Sequence, residues 1–363
     1  MVRRLSSAAA IAAAILAAVY CRESPPAAQG QTQPVVNLSA EKVVQFGLVV
    51  SDAEKVAKRF SDIFGVSWRF YEAKPRGLVL RDKPSDGESL MKVAIGDLGG
   101  RSIKLIQPVS GPSLYREFLD RHGEGFLYFS LGTVGNHDRI VDALKKAGVA
   151  IAMQGRLGTH TTFTIFDTAE DLGCDIEIVS QGWNEADSYM RLTGVHEPSR
   201  PGIIDMTTPA FSGGKRINQI GIVVRDEKRV ARRYQELLGI GPWSLSSIAK
   251  KTDAFLDEKP VPEAGLPGLG NDAAFSFLGD IQFELLKPAG GPSCHRRFLD
   301  RRGNGIQHVS VGRQVDYDQV VAALKKAGIN SEYSATLGGT SVVNYFAMQE
   351  QLGGFQVEYA KLK

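Results

Sequence analysis

The sequence predicts an α+β protein in which a βαβββ unit recurs four times, twice in each of two tandem domains. Three observations lead there. An apolar run is followed by an amphipathic helix and three short strand candidates, this pattern restarts within the same half, and the second half of the chain repeats the first.

Residues 43–50 (VVQFGLVV) form the first strand-like run. In the following SDAEKVAKRFSDIFG, Val56, Phe60, Ile63 and Phe64 recur at helical spacing and Gly65 supplies the stop. Residues 67–71, 90–95 and 102–107 read as strands separated by Gly, Pro and charge clusters. Ser113 caps a short helical piece, SLYREFLDR, after which the unit begins again. Its parts are a strand at 126–131, a helix at 137–147 stopped by Gly148, and strands around Ile151, at 163–166 and at 175–179.

The second half answers the first phrase by phrase. INQIGIVVRDEKRVARRYQELLGI matches VVQFGLVVSDAEKVAKRFSDIFGV, GPSCHRRFLDRRGNG matches GPSLYREFLDRHGEG, and AALKKAG matches DALKKAG. A period of about 180 residues is a duplicated domain, not a solenoid. The expected division is residues 1–30 as a signal peptide, 31–40 as a linker, 41–180 as the first domain, 181–215 as a Gly-, Pro- and Ser-rich linker, and 216–361 as the second domain.

With 363 residues, 43% hydrophobic and 23% charged, the chain can fill two cores. A net charge of +3, with Lys and Arg dispersed among acids, excludes nucleic acid as a partner. Arg3 and Arg4 precede an alanine-rich apolar stretch at 8–20, of signal-peptide length and too short to span a bilayer. Ala28 and Gly30 suit cleavage after Gly30, so the expected destination is periplasmic or secreted. Cys21 also invites a lipoprotein reading, an N-terminal anchor against which the bulky Tyr20 stands. Cys174 and Cys294 read as buried or idle thiols, and no zinc-type cysteine spacing occurs.

The stretch 281–312 concentrates the chemistry. Glu284 interrupts Phe283, Leu285 and Leu286, and His308 interrupts Ile306, Val309 and Val311, so each polar group sits inside an apolar strand. A buried carboxylate costs several kcal/mol unless it is paired or bound to metal. The repeat adds two positions: Gln219, Glu284, His308 and Glu358 in the second copy stand where the first has Gln45, Lys104, Tyr128 and Glu177. One imidazole nitrogen, two carboxylates and an amide oxygen suit a divalent ion such as Zn, Ni, Co or Mn. Lys104 puts an ammonium where the cation belongs, so the first copy reads as structural or substrate-shaping.

These phrases resemble the vicinal oxygen chelate superfamily over nearly all of the expected mature chain. INQIGIVV, FELLKPAGGPS, FLDRRGNGIQHVSV and FQVEY look like its methylmalonyl-CoA epimerase branch, while the order Gln219, Glu284, His308, Glu358 looks like that of animal-type glyoxalase I; Gln219 stands where the epimerases usually have His. The resemblance implies ligands that meet inside a curved, barrel-like mixed sheet. It also implies a small-molecule substrate with a carbonyl or vicinal oxygens, and metal-assisted proton transfer beside that carbonyl, with Glu358 as first-choice base and Glu284 as a ligand sharing the role. That chemistry is isomerase, epimerase or lyase. Export would make a CoA thioester or a glutathione adduct an unsuitable substrate.

Two alternatives stand beside it: a metal-free binder of the bleomycin-resistance type, and an extradiol dioxygenase, which needs two His and one carboxylate on iron. Glu263 is a further acid candidate, more simply a solvated loop residue. His122, His137, His160, His196 and His295 take a surface or loop reading, Arg296, Arg297, Arg301 and Arg302 a solvated face, and Trp68, Trp183 and Trp243 core packing. The oligomeric state stays open, since four units can close two barrels within one chain.

Overall fold

The computed structural model describes residues 33–182, 188–208, 214–248, 251–262 and 270–362. The expected signal segment with Cys21, together with Trp183 and Glu263, lies outside them.

The first half runs β1 (Gln45–Val49), α1 (Ala53–Phe64), β2 (Trp68–Ala73), β3 (Arg76–Leu80), β4 (Lys83–Pro84), β5 (Leu90–Leu98), β6 (Arg101–Ser110) and α2 (Leu114–His122). It continues with β7 (Gly125–Thr133), α3 (His137–Lys146), β8 (Ile151–Arg156), β9 (Thr162–Phe166), the short α4 (Ala169–Leu172) and β10 (Asp175–Val179). The segment expected as a linker contributes β11 (Met190–His196), which pairs antiparallel with β2.

The second half opens with β12 (Gln219–Val223), α5 (Glu227–Leu238), β13 (Ser244–Ile248), β14 (Lys251–Leu256), β15 (Lys259–Pro260), β16 (Asn271–Leu278) and β17 (Ile281–Pro288). Then come α6 (Cys294–Arg302), β18 (Gly305–Arg313), α7 (Tyr317–Lys326), β19 (Ser331–Leu337), β20 (Ser341–Phe346) and β21 (Val357–Leu362).

The repeat is visible in the caps. Asp52 accepts from the Lys55 amide at 3.0 Å to start α1, and Gly65 ends it at φ 73°; Asp226, Arg229 and Gly239 do the same for α5. Short polar side chains at the N-cap and glycine in the left-handed region just past the end are the favoured stops.

Each half forms one mixed sheet. The strand order is β11-β2-β5-β6-β1-β7-β10-β9-β8-β3-β4 in the first and β13-β16-β17-β12-β18-β21-β20-β19-β14-β15 in the second. β2 and β3 lie near opposite ends of that order, yet only residues 74 and 75 join them. Two residues reach roughly 7 Å, so the sheet must curl until its ends approach. β13 and β14 stand in the same relation in the second sheet.

Period-2 alternation sorts the two faces of each curled sheet. Ile220, Ile222, Phe283, Leu285, Val309, Val357 and Tyr359 join a core that runs continuously into the first half. Phe129 meets Phe283 with ring centroids 5.3 Å apart, and Phe60 meets Phe355 at 5.0 Å. The residues between them in sequence, among them Gly221, Glu284, His308 and Glu358, point to the inner face.

Candidate metal centre

The four expected positions lie on four adjacent strands, β17, β12, β18 and β21. Gly221 pairs with Glu284 on one side and His308 on the other, and Glu358 pairs with Ser310. Gln219, two residues before Gly221, shares their face; its amide nitrogen donates to Gln282 Oε1 at 2.8 Å. Directly paired residues of neighbouring strands stand side by side on one face, and here that places Glu284, His308 and Glu358 together, with ligand atoms all within 4.8 Å of one another.

A glycine makes room for the imidazole. A Cβ on Gly221 would stand 2.0 Å from His308 Cε1, and the first copy repeats the arrangement with Gly47 and the Tyr128 ring. Gly221→Ala therefore forces the His308 ring aside. We expect it to weaken metal binding about 10–100-fold, the range seen when the orientation of a ligand is lost, as read by metal titration; unchanged affinity would mean that the ring position does not matter.

A bulge supplies the second device. Ile306 pairs with Ile222 and His308 with Gly221, leaving Gln307 as the extra residue on β18. Bulges re-aim side chains, and Gln307 Oε1 comes to lie 2.6 Å from His308 Nδ1. A carbonyl oxygen can only accept, so Nδ1 donates to it, and Nε2 is the ring atom turned toward the carboxylates. Nε2 is fully buried, has no hydrogen-bond partner among the described residues, and faces Glu284 Oε2 at 3.7 Å and Glu358 Oε2 at 3.9 Å. Two carboxylates and a ring nitrogen turned on one point call for a cation among them, a proton on Nε2 or a metal ion in its place. The donor set fits a divalent ion.

The two carboxylates are fastened differently. Glu358 Oε1 accepts from Ser310 Oγ at 2.8 Å and Oε2 accepts from the Tyr345 hydroxyl. Among the described residues Glu284 accepts no hydrogen bond of that kind and has the longer His308 contact. Burial pushes the Glu284 carboxyl above its ordinary range; the Glu358 charge adds to this, while His308 and Lys251 pull against it. Lys251 is itself buried, and desolvation brings its ammonium down to about 8 against the opposing pull of Cys294, Glu284 and Glu358.

Several partners escaped the sequence. His295, expected at the surface, is 1% exposed in the first turn of α6, its ring centroid 5.0 Å from Tyr345 and 5.9 Å from His308. Burial and the nearby Lys251 and His308 hold it well below the usual imidazole range, hence neutral. His137 is also buried, bonded to Asp138 and Thr164. Cys174 and Cys294 are buried free thiols. The arginine group is engaged in part: Arg297 pairs with Asp257 and Glu332, Arg296 with Asp300, and Arg302 donates to the Glu124 carbonyl. Trp68 is core, and Trp243 packs on Tyr234. One signal could have found the missed partners: Gln307, His295 and Tyr345 stand where the first copy has Leu127, Tyr115 and Ile165, the copies diverging around the ligands.

Two curled sheets of paired βαβββ units, one carrying a Glu-His-Glu cluster on its inner face, define the vicinal oxygen chelate class of fold. The chain belongs to the Glyoxalase/Bleomycin resistance protein/Dioxygenase superfamily, whose family model matches residues 44–166 and again 218–343. It is 28% identical over 158 residues to the mitochondrial methylmalonyl-CoA epimerase of Homo sapiens, covering 43% of this chain and 78% of that protein. The Mus musculus enzyme is 27% identical over 157 residues, 42% of this chain and 75% of that one. Among solved structures, a mutant of 4-hydroxymandelate synthase from Streptomyces coelicolor shares the fold, with a TM-score of 0.51 at 12% identity over 89% of this chain and 93% of that one.

Proposed function

We propose that the protein is a metal-dependent isomerase or lyase of the epimerase kind, which transfers a proton at the carbon next to a carbonyl group of a small molecule. One observation carries the reading: the buried, unpartnered Nε2 of His308 faces two buried carboxylates. His308, Glu284 and Glu358, with Gln219 from the same face, would hold Zn, Ni, Co or Mn. A divalent ion bound there would draw electron density from the substrate's carbonyl oxygen and acidify the adjacent C–H.

The protein's own side chains would handle the proton. Two hydrogen bonds, from Ser310 and Tyr345, fix both oxygens of Glu358 and suit it to the role of a held ligand. Glu284, raised by burial and without such donors among the described residues, is the group we assign to take the proton, whereas the sequence put Glu358 first. With two carboxylates beside one imidazole, one can remove the proton and the other return it, and that is epimerisation. The epimerase relatives favour the same chemistry. A dioxygenase would need two imidazoles and one carboxylate, and this site offers the reverse.

The test is exchange in deuterated water. Small 2-oxo and hydroxycarbonyl compounds, incubated with the metal-loaded protein, are expected to take up deuterium next to the carbonyl, and Glu284→Gln is expected to stop it. A metal-loaded protein that binds such compounds without exchange would instead be a binder. Export belongs to the proposal on the strength of residues 3–30 alone: the mature protein is expected to begin at Gln31. An intact Met1 on cytoplasmic protein would remove export and readmit CoA thioesters.

A further inference from the structure

The first half keeps a cavity at the position equivalent to the metal centre, about 250 Å³ in volume. Lys104, Glu177, Ser102 and Thr161 supply polar wall, and Ile95 and Met190 apolar wall. Lys104 Nζ stands 4.0 Å from Glu177 Oε2, too far for a hydrogen bond. Glu177 is 2% exposed, and its Oε2 has no close hydrogen bond among the described residues, although the buried Tyr128 hydroxyl, itself unpartnered, lies near enough to feel its charge. A buried carboxylate oxygen left without a donor is costly, so a built cavity that strands one beside an ammonium is made for something that bridges the two.

We propose that this cavity is a second, metal-independent ligand site for a small neutral molecule carrying a hydroxyl next to a carbonyl. Lys104 offers only donors and Glu177, as a carboxylate, only acceptors. The ligand must therefore present an acceptor to one and a donor to the other across a short gap. A carbonyl oxygen on Lys104 and an adjacent hydroxyl on Glu177 meet both needs. The two protein charges offset each other, so a neutral molecule suits the site better than an anion, and the volume, below the usual range for drug-sized ligands, limits it to a short carbon chain. The site does not depend on the catalytic reading of the second half.

Hydroxyacetone is the probe, titrated into the full chain carrying His308→Ala so that the metal centre contributes nothing, with binding followed by saturation-transfer NMR. Saturable binding is expected, weakened at least tenfold by Lys104→Met and by Glu177→Gln. Acetone, which lacks the hydroxyl, should bind at least tenfold more weakly than hydroxyacetone. Val44→Trp provides a variant that leaves the ion pair intact: Val44 lines the cavity and is 44% exposed, and a large ring there should close the mouth and abolish binding. No saturable binding would mean that water fills the cavity, and binding that survives Val44→Trp would place the probe elsewhere. Either result overturns the proposal.

Discussion

Glu284→Gln is expected to lower the rate of proton exchange by about 10²–10⁴-fold, the usual contribution of a positioned general base, while leaving the bound metal largely in place. The amide keeps an oxygen for the ion and loses the ability to take a proton. Glu358→Gln should behave in the opposite way. Its two oxygens are held by Ser310 and Tyr345, and an amide nitrogen facing the Tyr345 or Ser310 hydroxyl disturbs that arrangement, so metal affinity should fall more than turnover per bound ion. Measuring kcat at saturating metal beside the metal dissociation constant separates the two roles. Equal losses in both parameters for both variants would mean that the carboxylates do the same job.

His308→Ala is expected to remove specific metal binding altogether and, with it, on the order of 10³ or more of the activity, since Lewis-acid stabilisation of several kcal/mol converts to rate at tenfold per 1.36 kcal/mol. The variant should also lose a thermal signature. Metal at 100 times its dissociation constant stabilises a folded protein by about 2.7 kcal/mol, which raises the unfolding temperature of wild type by several degrees on adding Zn, Ni, Co or Mn. No such rise is expected in the variant. A retained rise would locate the stabilising ion away from Nε2.

The architecture was legible because two periodicities and one repeat carry it. Alternation along Gln219–Val223 and Ile281–Pro288 separates a core face from an inner face, and the polar interruptions at Glu284 and His308 are the inner-face positions that alternation exposes. The caps at Asp52 and Asp226, copied between halves, mark both helices as the same element. What stayed hidden lies where pairing or packing overrides local pattern. The bulge that seats Gln307 beside His308 exists only in the register of β18 against β12. β3 and β4 are short and joined through Arg81 and Asp82 in the left-handed region, and β11 is read as linker because the stretch around it is rich in Gly, Pro, Ser and polar residues. His295 follows the same logic. SCHRRFLDRR reads as a polar helix, but Ser293 caps it by accepting from the Arg296 amide, and its first turn lies against the inner face, so a helix with four arginines in nine residues buries its histidine.

The difference between the halves is equally physical. Both keep a glycine under an aromatic ring and a glutamate on the matching strand, β10 or β21, but only one sets an imidazole nitrogen against two carboxylates. In the other, Lys104 supplies a fixed positive charge within 4.0 Å of Glu177. Duplication thus left one fold with two surroundings for the same buried carboxylate, an imidazole and a second carboxylate in the second half and an ammonium in the first.

The most direct measurement is the metal content of the purified protein, by elemental analysis after equilibration with Zn, Ni, Co or Mn and removal of loosely bound ions. The account requires about one ion per chain in wild type and none in His308→Ala, with Lys104→Met in the first half leaving the value unchanged. Wild type that holds no ion after reconstitution, or an ion that persists without His308, would contradict it.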